Sequence, residues 1–213
     1  MKTRHRLFRI WVILLVGAVL SCGPKEEPKP ALPSYLRIPA NLDGYVGSGL
    51  FTLTGDLTLR AEGPEQLDPA TKTYSGVLGA IKTSVMLTQF TLGQPLPYSQ
   101  TSTVPPQYEA NGELRIMNTV EVGTYPMGID SKPTPTGAIT DLTLNLPGPQ
   151  IYITRSGSLT ITDKTLVQQQ NGNRLFRITG SFTAVLNGVG QGTTPGKALN
   201  TTGTFDLLLL SSS

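Results

Sequence analysis

The segments SLTITDKT (158–165), Asn171-Gly172 and RLFRITGSFTAVL (174–186) read together as a β-hairpin. Leu159 and Ile161 alternate with Thr160 and Thr162. Phe176, Ile178, Phe182, Ala184 and Leu186 share one parity, with Arg177, Thr179, Ser181 and Thr183 on the other. A period of two puts apolar side chains on one sheet face and polar ones on the opposite face. Asn-Gly supplies the two positive φ angles that a tight hairpin turn requires.

The same pattern extends outward. Leu142, Leu144 and Leu146 alternate with polar residues, and so do Leu114, Ile116, Val120 and Val122. Further turn pairs stand at Asp43-Gly44, Asn111-Gly112 and Asn187-Gly188, and Pro-rich loops at 93–106 and 131–137. Residues 77–92 are Pro-free and fit a short helix or a strand. Thr204-Phe205-Asp206-Leu207-Leu208-Leu209-Leu210 becomes apolar on both parities, which predicts a central or closing strand buried on both faces. The expectation is an all-β fold of eight to eleven strands, an antiparallel β-sandwich or partly closed barrel in one domain.

The N-terminus sets the expected address. Lys2, Arg4, Arg6 and Arg9 precede an 11-residue apolar run at 10–20. A membrane-spanning helix needs roughly 18–20 residues, so residues 1–21 read as an export signal. Val19-Leu20-Ser21-Cys22 looks like the lipobox of bacterial lipoproteins, in which the Cys is acylated and becomes the new N-terminus. Residues 22–33 then form the lipidated Cys and a tether with four Pro and four charges, spanning roughly 30 Å if extended. Residues 34–213 are left as the β-domain.

Removing residues 1–21 changes the charge. They carry four of the 17 basic side chains and none of the 14 acidic ones, which leaves 13 basic against 14 acidic. The lone His5 and Trp11 leave as well, and Cys22 remains the lone Cys. A Ser-His-Asp or Cys-His arrangement then cannot be assembled, nor can a His/Cys zinc site or a redox pair. The remaining basic residues are scattered, which predicts no nucleic-acid partner. No cofactor and no metal is expected. Carboxylate chemistry stays open at Glu62 with Glu65 and Glu109 with Glu113, though acids on alternating strands ordinarily form a solvated face. Gly188-Val189-Gly190-Gln191-Gly192 lacks the following helix of a phosphate loop and reads as a hairpin connection.

Gly123-Thr124-Tyr125, Ile151-Tyr152-Ile153-Thr154 and Gly157-Ser158-Leu159-Thr160-Ile161-Thr162 precede two Gly-x-Phe segments, Gly180-Ser181-Phe182 and Gly203-Thr204-Phe205. In these pieces the chain resembles uncharacterised Bacteroidetes-type outer-membrane lipoproteins that end in a Gly-x-Phe strand. The resemblance covers residues 113–210. It implies an antiparallel β-domain, with Phe182 and Phe205 in its core, and no activity. The expected protein is a non-enzymatic binding or structural domain held at the bacterial outer membrane through Cys22, either face open. Its expected partners are the membrane and a protein or glycan. The alternatives are a carboxylate enzyme acting on carbohydrate and a small-ligand carrier with a hollow barrel, lined by Phe90, Phe182 and Phe205. Tyr98 and Tyr108, set among Gln, Ser and Thr in the longest irregular loop, are the candidate ligand contacts.

Overall fold

Eleven strands join in one sheet, in the order β2-β1-β11-β10-β9-β7-β8-β6-β5-β4-β3. They are β1 (Ser48–Gly55), β2 (Leu59–Glu62), β3 (Gln66–Asp68), β4 (Thr73–Lys82), β5 (Val85–Leu92), β6 (Ala110–Ile116), β7 (Gly123–Met127), β8 (Thr140–Leu146), β9 (Gln150–Gln170), β10 (Asn173–Val189) and β11 (Leu199–Ser211). The computed structural model describes residues 31–70, 73–82, 85–92, 110–116, 120–128, 140–146, 150–189 and 197–211. The chain divides into two units, Met1–Leu32 and Pro33–Ser213, and every strand belongs to the second.

The fold is all-β, with no helix among the described residues. The long ladders are antiparallel. Parallel contacts are short: Leu210↔Ala80 with Ser211↔Ile81 between β11 and β4, and Met127↔Thr140 between β7 and β8. The two β11–β4 pairs bring β4, next to one edge of this order, back to β11 near the other edge without a full seam, consistent with a partly closed barrel. Residues 77–92 fall in the β4–β5 hairpin, in register from Gly76↔Thr91 to Lys82↔Val85. Strand wins there because alternating Val77 and Ile81 face the core.

Turn chemistry decided two of the four Gly pairs. Asn171 (φ 51°) and Gly172 (φ 81°) join β9 to β10 as expected, and Leu42 O accepts from Tyr45 N across Asp43-Gly44. Asn111-Gly112 and Asn187-Gly188 instead lie inside β6 and β10. Neither glycine there has a positive φ, and flanking ladder pairs outweigh the local turn preference. The alternation from Leu114 also fails at its end: Val120 is buried, but Val122 lies beyond β6 and is exposed.

One apolar cluster fills the interior. It draws Phe51 and Leu53 from β1, Leu114 from β6, Leu142 and Leu144 from β8, Leu159 and Ile161 from β9, and Phe182, Phe205 and Leu207 from β10 and β11. At its centre Gly180 pairs with Phe205, and Phe182 with Gly203. Each Phe ring lies where the opposite glycine's Cβ would stand. The bare backbone at Gly203 lets Phe182 lean across β11 and stack on Phe51 of β1, with centroids 5.6 Å apart and an interplanar angle of 20°. Strands two positions apart are about 9.6 Å apart, so this stack needs the open site between them.

β11 is buried on both faces, as its composition predicted. Leu207, Leu208 and Leu209 are each fully buried. Leu207 and Leu209 face the interior, whereas Leu208 faces outward beside Arg177. Its cover is the stretch 33–47, which crosses the outside of β10 and β11 and buries Leu36 and Leu42. Tyr35 Oη donates to Asp206 Oδ2 (2.9 Å), Leu42 N to Gln170 Oε1 (3.0 Å) and Asn173 Nδ2 to Asp43 Oδ1 (3.3 Å). Gly79 N donates to Val46 O (2.7 Å). Gly47 (φ 89°) marks the place where β1 leaves β11 and β4 takes over; a Cβ there would stand 2.7 Å from Gly79 O.

Phe182→Ala should cost about 3–5 kcal/mol, and Gly203→Ala should also destabilise, since its Cβ meets the Phe182 ring. Phe182→Leu should restore part of the stability lost in Gly203→Ala; urea unfolding of the four species gives the coupling, and strict additivity would contradict the interlock. Deleting residues 203–213 removes the strand shared by β1, β10 and β4 and should abolish soluble expression, checked on the supernatant after lysis.

Candidate functional site

A groove of about 590 Å³ lies on the outer face of β1, β11, β10 and β9. Eight of its ten lining residues are Ser or Thr: Thr52, Thr54, Ser158, Thr160, Ser181, Thr183, Thr202 and Thr204; Phe182 and Gly203 complete it, and none carries a charge. Local sequence explains the lining. Hydroxyl-x-hydroxyl triplets occur on all four strands, at 52–54, 158–160, 181–183 and 202–204. Residues i and i+2 of a strand share a face. The central residue of each triplet, Leu53, Leu159, Phe182 or Gly203, points inward to the core or to its ring contacts.

Register turns the triplets into two rows. Thr52, Thr204, Ser181, Thr160 and Thr124 stand opposite one another across β1, β11, β10, β9 and β7. Thr54, Thr202, Thr183 and Ser158 form the second row. Neighbouring hydroxyls hold each other: Thr52 with Thr204 at 2.7 Å, Thr124 with Thr160 at 3.0 Å, Thr54 with Thr202 at 3.1 Å and Ser158 with Thr183 at 3.2 Å. A hydroxyl donates once and accepts twice. Each pair therefore spends one O–H between its members. Thr52 and Thr54 also reach the Thr204 and Thr202 carbonyls at 3.5 Å, and Thr52 accepts from Thr204 N at 3.3 Å. These two pairs thus offer the groove chiefly lone pairs, while Thr124–Thr160 and Ser158–Thr183 keep a second O–H as well.

The charges at the rim are all engaged. Arg177 forks onto Asp206, Nε to Oδ1 at 2.9 Å and Nη2 to Oδ2 at 2.8 Å, and Tyr35 adds its hydroxyl to the same carboxylate. Burial and that hydrogen bond push the Tyr35 phenol above its usual range. Asp206 follows Thr204 by two residues along β11, so this cluster flanks the first row. Asp56, two residues beyond Thr54 on β1, flanks the second row and accepts from Asn200 N at 2.7 Å, which holds its carboxyl below the usual range. Arg60, opposite Thr52, is paired with Glu62 at 2.6 Å.

The residues singled out in the sequence fall elsewhere. Cys22, Tyr98, Tyr108 and Glu109 lie outside the described residues, as does the side chain of Phe90. Phe182 and Phe205 are packed into the interior rather than lining a cup. Glu62 is engaged by Arg60, and Glu113 by Arg115, whose Nε and Nη2 stand 2.9 and 2.7 Å from Oε1. Gly188 and Val189 belong to β10, and residues 190–192 of the Gly-rich run lie outside the described residues. Among the described residues no cluster of His, Cys, Asp or Glu could hold a metal ion. Sequence reasoning misses the hydroxyl groove because Thr reads first as a strand former. The repeated triplets are its visible signal.

A second acidic position stands apart from the groove. Asp141 on β8 is opposite Arg115 on β6. Burial pushes its carboxyl above the usual range, with Arg115 opposing and Glu113 adding to the shift. No protein-family model, curated protein or solved structure matches the chain.

The raised Asp141 carboxyl gives a signed pH dependence. The folded state holds that proton more tightly than the unfolded state, so stability falls as pH rises from the ordinary carboxylate value through the folded one. Asp141→Asn should therefore stabilise the protein at pH 7 and remove this component of the pH profile. Urea midpoints measured from about pH 4 to pH 7 check it; a variant less stable than wild type at pH 7 would show that the Arg115 attraction dominates.

Proposed function

We propose that this is a lipid-anchored protein of the bacterial envelope, held at the outer membrane through Cys22, whose β-domain is a non-enzymatic binding surface centred on the hydroxyl groove. The observation that carries the binding role is the groove itself: two registered rows of paired hydroxyls with no charged lining residue. A filled interior speaks against a carrier, since Phe182 and Phe205 each pack on the opposite glycine and Phe182 stacks on Phe51. The engagement of Glu62 and Glu113 by arginines, one member of each candidate carboxylate pair, speaks against acid–base use of either pair. The anchor rests on the charged start, the short apolar run and the lipobox-like Val19-Leu20-Ser21-Cys22. One acyl chain binds a membrane only marginally, and stable attachment takes two signals; lipobox cysteines carry several chains.

Anchor and groove are tested separately. Wild-type protein should partition into the detergent phase on Triton X-114 separation and Cys22→Ser into the aqueous phase; a Cys22→Ser protein that stays with detergent would refute acylation there. The Cys22→Ser protein should still sediment with purified envelopes. Adding Thr183→Arg, which places a charge in the neutral groove without touching the core, should release it. Equal sedimentation of both would remove the groove from the binding role.

A further inference from the structure

We infer that the groove takes a neutral, extended glycan chain lying across the strands, along the hydroxyl rows. This rests on the groove being the binding surface.

The lining chemistry selects the ligand class. With no cation or anion among the lining residues, and the rim charges of Arg177, Asp206, Arg60 and Glu62 paired with one another, an ionic ligand would lose hydration without gaining a counter-charge. An apolar ligand would strand the remaining donors and lone pairs of the hydroxyls against hydrocarbon. A polyhydroxylated neutral ligand matches both halves of a threonine: its O–H groups donate to the lone pairs of the rows and accept from the remaining O–H of the Ser158–Thr183 pair, and its C–H faces meet the γ-methyls. The mutual hydrogen bonds add preorganisation. Thr is stiff at χ1, and the partner hydroxyls at 2.7–3.2 Å hold the rotamers before a ligand arrives, which lowers the ordering cost of binding.

Geometry selects a chain over a single sugar and over a flat lattice. The longer row crosses five strands from β1 to β7, about 19 Å at ~4.8 Å per strand, longer than one ring. Adjacent strands rotate by roughly 20–25°, so the rows turn through some tens of degrees along their length. A glycan chain follows such a turn by rotating about its glycosidic bonds. The planar face of an ice crystal cannot.

The test uses the mature protein in detergent and a labelled panel of linear neutral hexasaccharides, β-1,4-glucose, β-1,4-N-acetylglucosamine and α-1,4-glucose, followed by fluorescence anisotropy. At least one should bind saturably, more weakly as its trimer. Thr204→Val should weaken it about fivefold and Thr52→Val with Thr204→Val about 25-fold, ~1 kcal/mol per hydroxyl. Thr162→Val, whose hydroxyl bonds Thr179 outside the groove, should bind as wild type. Near-ultraviolet circular dichroism of each variant reports folding. Failure of every hexasaccharide to bind, or binding unaltered in the folded double variant, overturns the inference. If envelope sedimentation still depends on Thr183 in that case, the groove remains a binding surface for another class and only the glycan assignment falls. Inhibition of ice recrystallisation that disappears in the double variant, without glycan binding, would assign the rows to ordered water instead.

Discussion

The crossing of Gly180-Ser181-Phe182 with Gly203-Thr204-Phe205 is the contact on which both faces of the sheet depend. Inward, each ring occupies the space left by the opposite glycine, and Phe182 reaches Phe51 through the gap. Large and small residues thus alternate across facing positions, which fills an interior at high density without strained rotamers. Outward, the residues between and beside these, Ser181, Thr183, Thr202 and Thr204, are placed in register by the same ladder. A slip of one residue would send the rings to solvent and the hydroxyls into the core. Core and groove are two faces of one register.

The stretch 33–47 solves a different problem. β11 needs Leu207 and Leu209 inside, and its continuous Leu run leaves Leu208 outside. A strand pair alone would expose it. The crossing segment covers it with Leu36 and Leu42 and is tied down at Asp206, Gln170 and Asn173. Asp206 consequently serves two partners, Arg177 and Tyr35, and separates this covered apolar patch from the hydroxyl rows that begin at Thr204.

Much of this architecture was legible in the amino-acid order. The hairpin about Asn171-Gly172 and the double-sided burial of β11 come from periodicity and turn chemistry, which are local, whereas 77–92, open to helix or strand in the sequence, was settled by pairing in the sheet. Reading failed where a local signal met a ladder. Asn111-Gly112 and Asn187-Gly188 have the composition of turns but are held extended, the first by strands on both sides and the second by β9. β9 is the other case. Its register against β10 shifts at three places, near Leu175/Phe176, Thr179/Gly180 and Val185/Leu186. Each bulge exchanges the faces, so Thr154 is buried on even parity while Leu159 and Ile161 are buried on odd. No single alternation describes such a strand.

The candidate site shows the same division. The sequence by itself determined that hydroxyls would come in i, i+2 pairs around apolar or glycine centres, because a strand sends alternate residues to opposite faces. It also determined a domain poor in charge, with the basic excess and the single His and Trp confined to residues 1–21. The tertiary structure alone decided that triplets far apart in the chain would align in rows, as Thr52 does with Thr204. Alignment depends on which strands pair and at what register, and those are set by the collective packing of inward rings and glycines.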